Sequence, residues 1–352
     1  MKQTVVVSKN YVEVLRDFLK QEEYDKIFIL TDSKTEKLCL PHLAENLALD
    51  FQQLTIEAGD ENKNLEAVSE VWRYLSSHGA TRRSCLVNLG GGVVTDLGGF
   101  AAATFKRGIS CINIPTTLLA MVDAAVGGKT GINFNGLKNE VGSFYSASLV
   151  LLDVFFLKTL DKANLLSGYA EMLKHGLIDS EVHWRELLQT DLLGDFDQEK
   201  LSLLIERSIE VKREIVREDP LEKGLRKSLN LGHTVGHAFE SLALQHKRPV
   251  LHGYAVAWGL ICELYLSRVC CGFPKETMMA ACYYIKESFG SFTFDCRDYE
   301  KLYELMLHDK KNTSPHINFS LLSDIGVVEL NQTASKELIF ETFDFYREAM
   351  GV

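Results

Sequence analysis

Short apolar runs alternate with segments of helical period over the first half of the chain. Residues 26–31 (KIFILT), 51–58 (FQQLTIEA), 84–89 (SCLVNL), 110–114 (SCINI) and 149–152 (LVLL) predict strands, and residues 64–78 predict an amphipathic helix. Strands this rich in Val, Ile and Leu predict parallel pairing with helices on both faces, and such sheets take ligands beyond the carboxyl ends of their strands. After about residue 160 the pattern changes. Residues 201–217, 228–244, 254–269, 274–289 and 334–350 all carry helical period, interrupted by one β-like run at 317–322. The fold class expected is therefore an α/β N-terminal Rossmann-like domain followed by a mainly α-helical C-terminal domain, with the division near residue 160. A cleft between two such halves is the natural place for a ligand.

With 352 residues the chain exceeds the ~250–300 at which one core usually stops growing, which agrees with two domains. Lys and Arg number 38 against 48 Asp and Glu, a formal charge of −10. That balance excludes a general nucleic-acid partner, since affinity for a phosphate backbone needs a cationic excess. An anionic small molecule stays compatible, provided cations are gathered locally against the global field. The eight cysteines form no CxxC pair and no framework spacing, so reduced thiols are expected. The charged start MKQTVVVSKNYVEVLRDFLKQ lacks a signal core, and no run approaches ~18 uncharged apolar residues, so a cytoplasmic protein without a membrane span is expected.

One strand runs directly into Gly90-Gly91-Gly92-Val93-Val94-Thr95-Asp96-Leu97-Gly98-Gly99, with a helix-like stretch at 100–106. Glycines permit close backbone approach and a following helix offers free N–H groups, which suits a pyrophosphate. The spacing is not GxGxxG, so a tight packing turn explains this segment equally well. Asp96 falls in the first turn expected for the helix. Downstream, Lys129 lies in a Gly-Gly-Lys-Thr turn and Lys138-Asn139 in a second turn rich in Gly and Asn. The P-loop pattern fails because Asp123 stands where its first glycine belongs, yet two turn lysines within ten residues suit a phosphate or carboxylate.

The helical half holds a carboxylate and several imidazoles: Glu171 in AEMLKH, His233 and His237 in GHTVGH, and His252 in LHG. An i, i+4 histidine pair with a carboxylate makes a three-ligand site with an open position, the pattern of a catalytic metal. Spacing leaves open which two of the three histidines serve. The HExxH glutamate is missing, so peptide hydrolysis is a poor reading. Arg226, Asn230, His233 and His237 recur at steps of four, three and four, predicting one polar stripe on a helix. Such a stripe suits the wall of an anion pocket, with Lys212 as a candidate neighbour.

The blocks GGGVVTDLGGFAAATFKRG, IPTTLLAMVDAAVGGKTGIN, LKNEVGSFY, SGYAEMLKHG, LRKSLNLGHTVGHAFE and HGYAVAWG, spanning residues 90 to 259, together resemble the 3-dehydroquinate synthase family of sugar-phosphate cyclases. The resemblance implies a Rossmann-like NAD-binding domain at 1–160 and a mainly α-helical metal- and substrate-binding domain at 161–352. It implies zinc, or cobalt in its place, on Glu171, His233 and His252. It places NAD on Asp60, Lys63, Gly91, Gly92, Val93, Asp96, Thr116, Thr117, Lys129, Lys138, Phe156, Leu157, Lys158 and Thr159. Asp60 departs from the glutamate usual in relatives. The implied substrate groups are Asp123, Lys129, Asn139, Lys174, Lys212, Arg226, Asn230, His237 and Lys310 or its neighbour Lys311, with Arg107 reaching into a partner's site in a homodimer. The implied reaction converts an anionic heptulosonate phosphate to 3-dehydroquinate and phosphate. A metal-dependent polyol dehydrogenase shares the architecture, but a simple polyol does not need so many cations.

Overall fold

The computed structural model describes residues 3–135, 137–192, 194, 198–307 and 317–352, grouped into two compact units. One is Met1–Asp161 with Asp197–Ile209; the other is Lys162–Phe196 with Glu210–Val352. The first unit contains β1 (Thr4–Val7), α1 (Tyr11–Gln21), β2 (Ile27–Asp32), α2 (Thr35–Leu38), α3 (Leu40–Leu47), β3 (Gln52–Ile56), α4 (Leu65–Ser77), β4 (Cys85–Gly90), α5 (Gly92–Thr104), β5 (Ser110–Pro115), β6 (Lys129–Phe134), β7 (Leu137–Phe144) and β8 (Leu149–Leu152). Six strands form a parallel sheet in the order β1-β8-β5-β4-β2-β3. Every position of β4 is buried, which explains why its sequence is a continuous apolar run instead of an alternating one. From β2 the chain steps outward to β3, returns to β4 beside β2, and then steps the other way to β5. The carboxyl ends of β2 and β4 therefore flank the topological switch point, the ligand-binding position of open α/β sheets.

Three local expectations are corrected. The Gly-rich segment does not precede its helix; α5 begins at Gly92, so Gly98 and Gly99 lie inside it and Asp96 falls in its second turn. A Cβ at Gly98 would stand 2.0 Å from Asn88 Oδ1 and 2.9 Å from Leu30 Cδ2, so glycine here allows α5 to press on the sheet. Lys129 and the Lys138-Asn139 pair are not in turns. Lys129 opens β6 and the other two sit in β7, two antiparallel strands paired over Lys129↔Phe144 to Phe134↔Leu137. Gly127-Gly128 and Asn135 do take positive φ at the two ends of β6, but the β-branched Thr130 and Ile132 between them favour an extended strand.

The second unit holds α6 (Lys162–Asp179), α7 (Glu181–Leu188), the latter part of α8 (Gln198–Glu218), α9 (His233–Gln245), α10 (His252–Cys271), α11 (Lys275–Phe289), α12 (Tyr299–Leu307), the hairpin β9 (Phe319–Asp324) and β10 (Val327–Gln332), and α13 (Lys336–Met350). Its centre is α10, which packs on α6, α9, α11 and α13. By length and composition α10 could cross a membrane, with mean hydropathy 1.3, but two-thirds of that stretch (67%) is buried inside the fold, as expected of a core helix. Helices α9 and α10 meet at glycines. A Cβ at Gly259 would lie 2.1 Å from Gly232 O and 2.6 Å from Gly236 N, so only glycine permits this spacing. The polar stripe expected on one helix is instead broken: Arg226 and Asn230 belong to a 3-10 turn, Leu225–Asn230, and Gly232 at φ +78 separates them from α9. The left-handed conformation ends the periodicity that the step of three between Asn230 and His233 had appeared to continue.

Candidate functional site

In the first unit, the loop after β3, the second turn of α5 and the β6–β7 hairpin are tied together by polar contacts. Lys63, which is buried, donates through Nζ to Asp96 Oδ2 and Asn139 Oδ1, each at 2.5 Å. Its carbonyl accepts from Asn133 N–H at 2.8 Å. Asn133 Nδ2 donates to Asp60 O at 2.8 Å and Asn133 Oδ1 accepts from Asn139 N–H at 2.9 Å, while Lys138 Nζ lies 3.2 Å from Asp60 Oδ2. Five residues singled out from sequence, Asp60, Lys63, Asp96, Lys138 and Asn139, thus form one network. Asn139 is held at φ +50, a conformation asparagine tolerates better than most residues.

Beside this network lies the start of α5. Its N-cap, Gly91, provides no side-chain cap, so the first N–H groups of a buried-sheet helix point toward the switch point, where an anion is stabilised by them and by the helix dipole. Among the described residues, Ala124 Cβ at 3.4 Å is the one atom within reach of a Cβ added at Gly92. Thr116 follows β5 and donates its N–H to Gly90 O at 3.0 Å; Thr117 Oγ1 accepts from Ala120 N–H at 3.1 Å. Asp123, half-buried, lies in a single π-turn at Ala120–Ala124, a rare geometry that often marks functional positions. Phe156 and Leu157 are buried in the 3-10 turn Val154–Thr159, so this segment would meet a ligand through its backbone, through exposed Lys158 or through Thr159. Lys129 is exposed, as is Arg107 in the turn after α5 at φ +67.

The second unit buries its candidates. Glu171 and Lys174 stand one turn apart in α6, both almost wholly buried, with Lys174 Nζ donating to Glu171 Oε2. Among the described residues the other carboxylate oxygen, Oε1, has no hydrogen-bond partner. His233 Nε2 lies 3.4 Å from it and His252 Nε2 3.5 Å. The two ring nitrogens that face away are occupied: His233 Nδ1 donates to Leu231 O at 3.1 Å, and His252 Nδ1 lies 3.4 Å from Glu240 Oε2. His237 completes a triangle of rings, with centroids 5.3 Å from His233 and 5.7 Å from His252.

Burial by itself would raise the Glu171 carboxyl, but the Lys174 ammonium beside it holds it well below its ordinary value. Burial pushes His233 down to about 3, so it is neutral. For His252 burial acts downward too, but the carboxylates of Glu171 and Glu240 outweigh it and push this ring up to about 10. A neutral imidazole with Nδ1 protonated presents a lone pair at Nε2, and in His233 that lone pair faces an unpartnered carboxylate oxygen. Two electron-rich atoms so placed fit a cation between them, and displacement of the His252 proton adds a third donor. The donor set is that of zinc or a similar borderline ion.

Arg226 is buried, with Nη1 donating to Pro220 O at 2.8 Å, and Lys212 is buried on α8. Asn230 Nδ2 donates to Glu222 Oε1 at 3.1 Å. Lys310 and Lys311 lie outside the described residues. Sequence reasoning passed over Glu240, Asp219 and Glu263, whose signal was a carboxylate within or beside apolar helical period. It also passed over Asp32-Ser33-Lys34, which leaves β2 at the switch point; Asp32 Oδ1 accepts from the N–H groups of Lys34 and Thr35 at 2.9 and 2.8 Å. An acidic residue closing a predicted strand was the cue there.

Family models for the N-terminal and C-terminal parts of 3-dehydroquinate synthase match residues 53–167 and 168–312. A 3-dehydroquinate synthase from Parabacteroides distasonis is 55% identical over 353 residues, covering 99% of each chain. Among solved structures, 2-deoxy-scyllo-inosose synthase complexed with carbaglucose-6-phosphate, NAD+ and Co2+ aligns with a TM-score of 0.86 at 24% identity, over 98% of this chain and 96% of that one. The 2-epi-5-epi-valiolone synthase of Streptomyces hygroscopicus, with NAD+ and Zn2+ bound, aligns with a TM-score of 0.84 at 24% identity, over 99% and 97%. At that identity these two establish the shared fold.

Proposed function

Because the chain belongs to the 3-dehydroquinate synthase family, phosphate-eliminating cyclases of the shikimate pathway, we propose that it converts 3-deoxy-D-arabino-heptulosonate 7-phosphate to 3-dehydroquinate and phosphate in the cytoplasm. The observation that carries the catalytic reading is the convergence of Glu171 Oε1 with the Nε2 atoms of His233 and His252. These three residues would hold zinc, and residues 161–352 would be the metal- and substrate-binding domain. Residues 1–160 would bind NAD, at the uncapped start of α5 (Gly91, Gly92, Val93), the network of Asp60, Lys63, Asp96 and Lys138, the strand-end threonines Thr116 and Thr117, Lys129, and the 156–159 turn. The solved neighbours with NAD+ and Co2+ or Zn2+ support both assignments.

When bound, zinc supplies a Lewis acid that lowers the pKa of a coordinated hydroxyl, and NAD supplies a hydride acceptor that is regenerated within the cycle. The protein's own residues bind and orient. Lys174 keeps Glu171 ionised and so ready to act as a ligand at neutral pH. Arg226 is desolvated and fixed by Pro220 O, which suits it to a bidentate grip on a carboxylate or phosphate. Lys212, Lys174, Asn230, His237, Asp123, Lys129 and Asn139 would hold the remaining substrate groups. Positioning of this kind supplies most of the protein's share of the barrier reduction. Arg107, exposed on its positive-φ turn, would complete a partner's site in a homodimer.

The deciding assay supplies heptulosonate phosphate with a catalytic quantity of NAD and follows phosphate release without net NADH. Accumulation of NADH would instead identify a polyol dehydrogenase, the reading that the full-length match at 55% identity already disfavours. Sedimentation velocity together with Arg107→Ala tests the dimer: a monomer with full activity refutes it.

A further inference from the structure

Helix α9 begins at His233 and has no cap of its own, because its N-cap is Gly232 in the left-handed region. Its first N–H groups are accepted by another helix. Glu263 of α10 takes Gly232 N–H on Oε2 at 2.6 Å and Val235 N–H on Oε1 at 3.0 Å. Glu263 is fully buried, within the apolar run Leu260-Ile261-Cys262 and Leu264. A carboxylate placed there costs several kcal/mol of desolvation unless charged hydrogen bonds offset it, so the position is an expensive one for packing alone. Here the two N–H groups and the positive end of the α9 dipole provide that offset.

The two anchored N–H groups bracket His233. We propose that Glu263 is a positioning residue for the metal site: by gripping the backbone on both sides of His233 it fixes the ring that Leu231 O also holds. One helix then does two things, carrying the candidate ligand His252 at its start and anchoring the helix of His233 farther along. The glycine contact between Gly259 and Gly232 brings the two helices close enough for the Glu263 side chain to reach. This inference rests on reading Glu171, His233 and His252 as a metal site.

The test uses the full chain, stripped of metal and titrated with zinc against a chromophoric chelator and with Co2+ followed by its visible spectrum. Glu263→Gln keeps the shape and one acceptor oxygen but turns an amide group toward a backbone N–H. The expected result is a metal affinity lower by about 10- to 100-fold, the usual effect of losing an outer hydrogen-bonding partner of a ligand, with an altered Co2+ spectrum and unchanged NAD binding. Equal affinity and an identical spectrum in the folded variant overturn the proposal. If Glu263→Gln does not fold, Glu263→Asp keeps the charge while withdrawing it from α9, and unchanged affinity there is equally fatal. A wild-type protein that binds neither metal refutes the metal reading itself, and the role of Glu263 falls with it.

Discussion

In the N-terminal unit the candidate residues stand on strand ends, a hairpin and one helix start, several of them exposed, and they bind one another. In the C-terminal unit they sit on helices and on the 3-10 turn Leu225–Asn230, mostly buried, and their charges are set against apolar surroundings. Lys63, Asp96 and Asn139 exemplify the first arrangement, Glu171, Lys174 and Arg226 the second. The difference follows from the folds. A parallel sheet offers a crevice of backbone groups at its carboxyl edge, so anion binding there needs few buried charges. Helices satisfy their own backbone, so a polar site among them has to be built from side chains, and each charged one must be partnered. Function and stability should therefore separate in the first unit and be entangled in the second.

The largest effect expected is at Glu171. Glu171→Ala leaves the buried Lys174 cation without its partner, so the variant should lose about 3–5 kcal/mol in urea unfolding as well as its zinc. The first-unit counterpart, Lys63→Ala, should weaken NAD binding and cost less, because Asp96 keeps part of its exposure to solvent. Equal stability losses would break the comparison. Next come two glycines. Gly259→Ala drives a Cβ into the Gly232 carbonyl and should cost about 1–3 kcal/mol with loss of metal affinity. Among the described residues Gly92→Ala meets Ala124 Cβ alone, so stability should stay within about 0.5 kcal/mol while the KM for NAD rises. A destabilised Gly92→Ala with normal KM would contradict the separation.

The same contrast governs how much the sequence reveals. Burial of most of their length leaves near-continuous apolar runs in β2, β4, β5 and β8, which made them legible, and the half-buried β3 was legible too; β1, only four residues and half-exposed, was not. Most of the long helices, α8 to α11 and α13, were legible from their helical period; α6, buried continuously from Leu165 to Ile178 and so without a polar face to mark it, was not. What failed were places where tertiary contact overrides local pattern: α5 starting among glycines because it must lie against Asn88 and Leu30, and strands at Lys129 and Asn139 where glycine and asparagine suggested turns. The candidate metal residues were visible as residue types, but their convergence was not, since it depends on a helix crossing that brings His233 and His252 from separate segments onto Glu171. The break at Gly232 was hidden because its step of three matched helical period by coincidence.

A smaller effect is expected with pH in metal-free protein. His252 is raised to about 10 in the folded state from an ordinary 6.5, so its stabilisation is complete below about 6.5 and is lost as pH rises through 10. His233 is lowered to about 3, so its neutral burial costs nothing above 6.5 and opposes folding increasingly as pH falls toward 3. Thermal unfolding of chelator-treated protein should peak near pH 6.5. His252→Ala should flatten the alkaline arm alone, and an unchanged arm would show that the ring is not held by Glu171 and Glu240.

The smallest effect tests whether a surface carboxylate can matter to the buried half. Asp219 accepts N–H groups from Lys223 at 2.9 Å, Gly224 at 2.6 Å and Arg226 at 3.1 Å, folding the loop that delivers Arg226 to Pro220 O. Slight burial pushes the Asp219 carboxyl up, but those three bonds outweigh it and hold the group below its ordinary 3.8. It is therefore ionised at neutral pH, and its contribution disappears only as acid carries the pH below the usual carboxylate range. Asp219→Asn imitates the protonated state and loses the charge that strengthens all three bonds. If the loop's role is to place Arg226, the KM for the sugar phosphate should rise by about tenfold or less while kcat and the KM for NAD hold, since a slackened guanidinium binds ground state and transition state alike less well. A fall in kcat at constant KM would mean that Arg226 acts in the transition state only, and that the buried half of the molecule uses its charges for chemistry more than for capture.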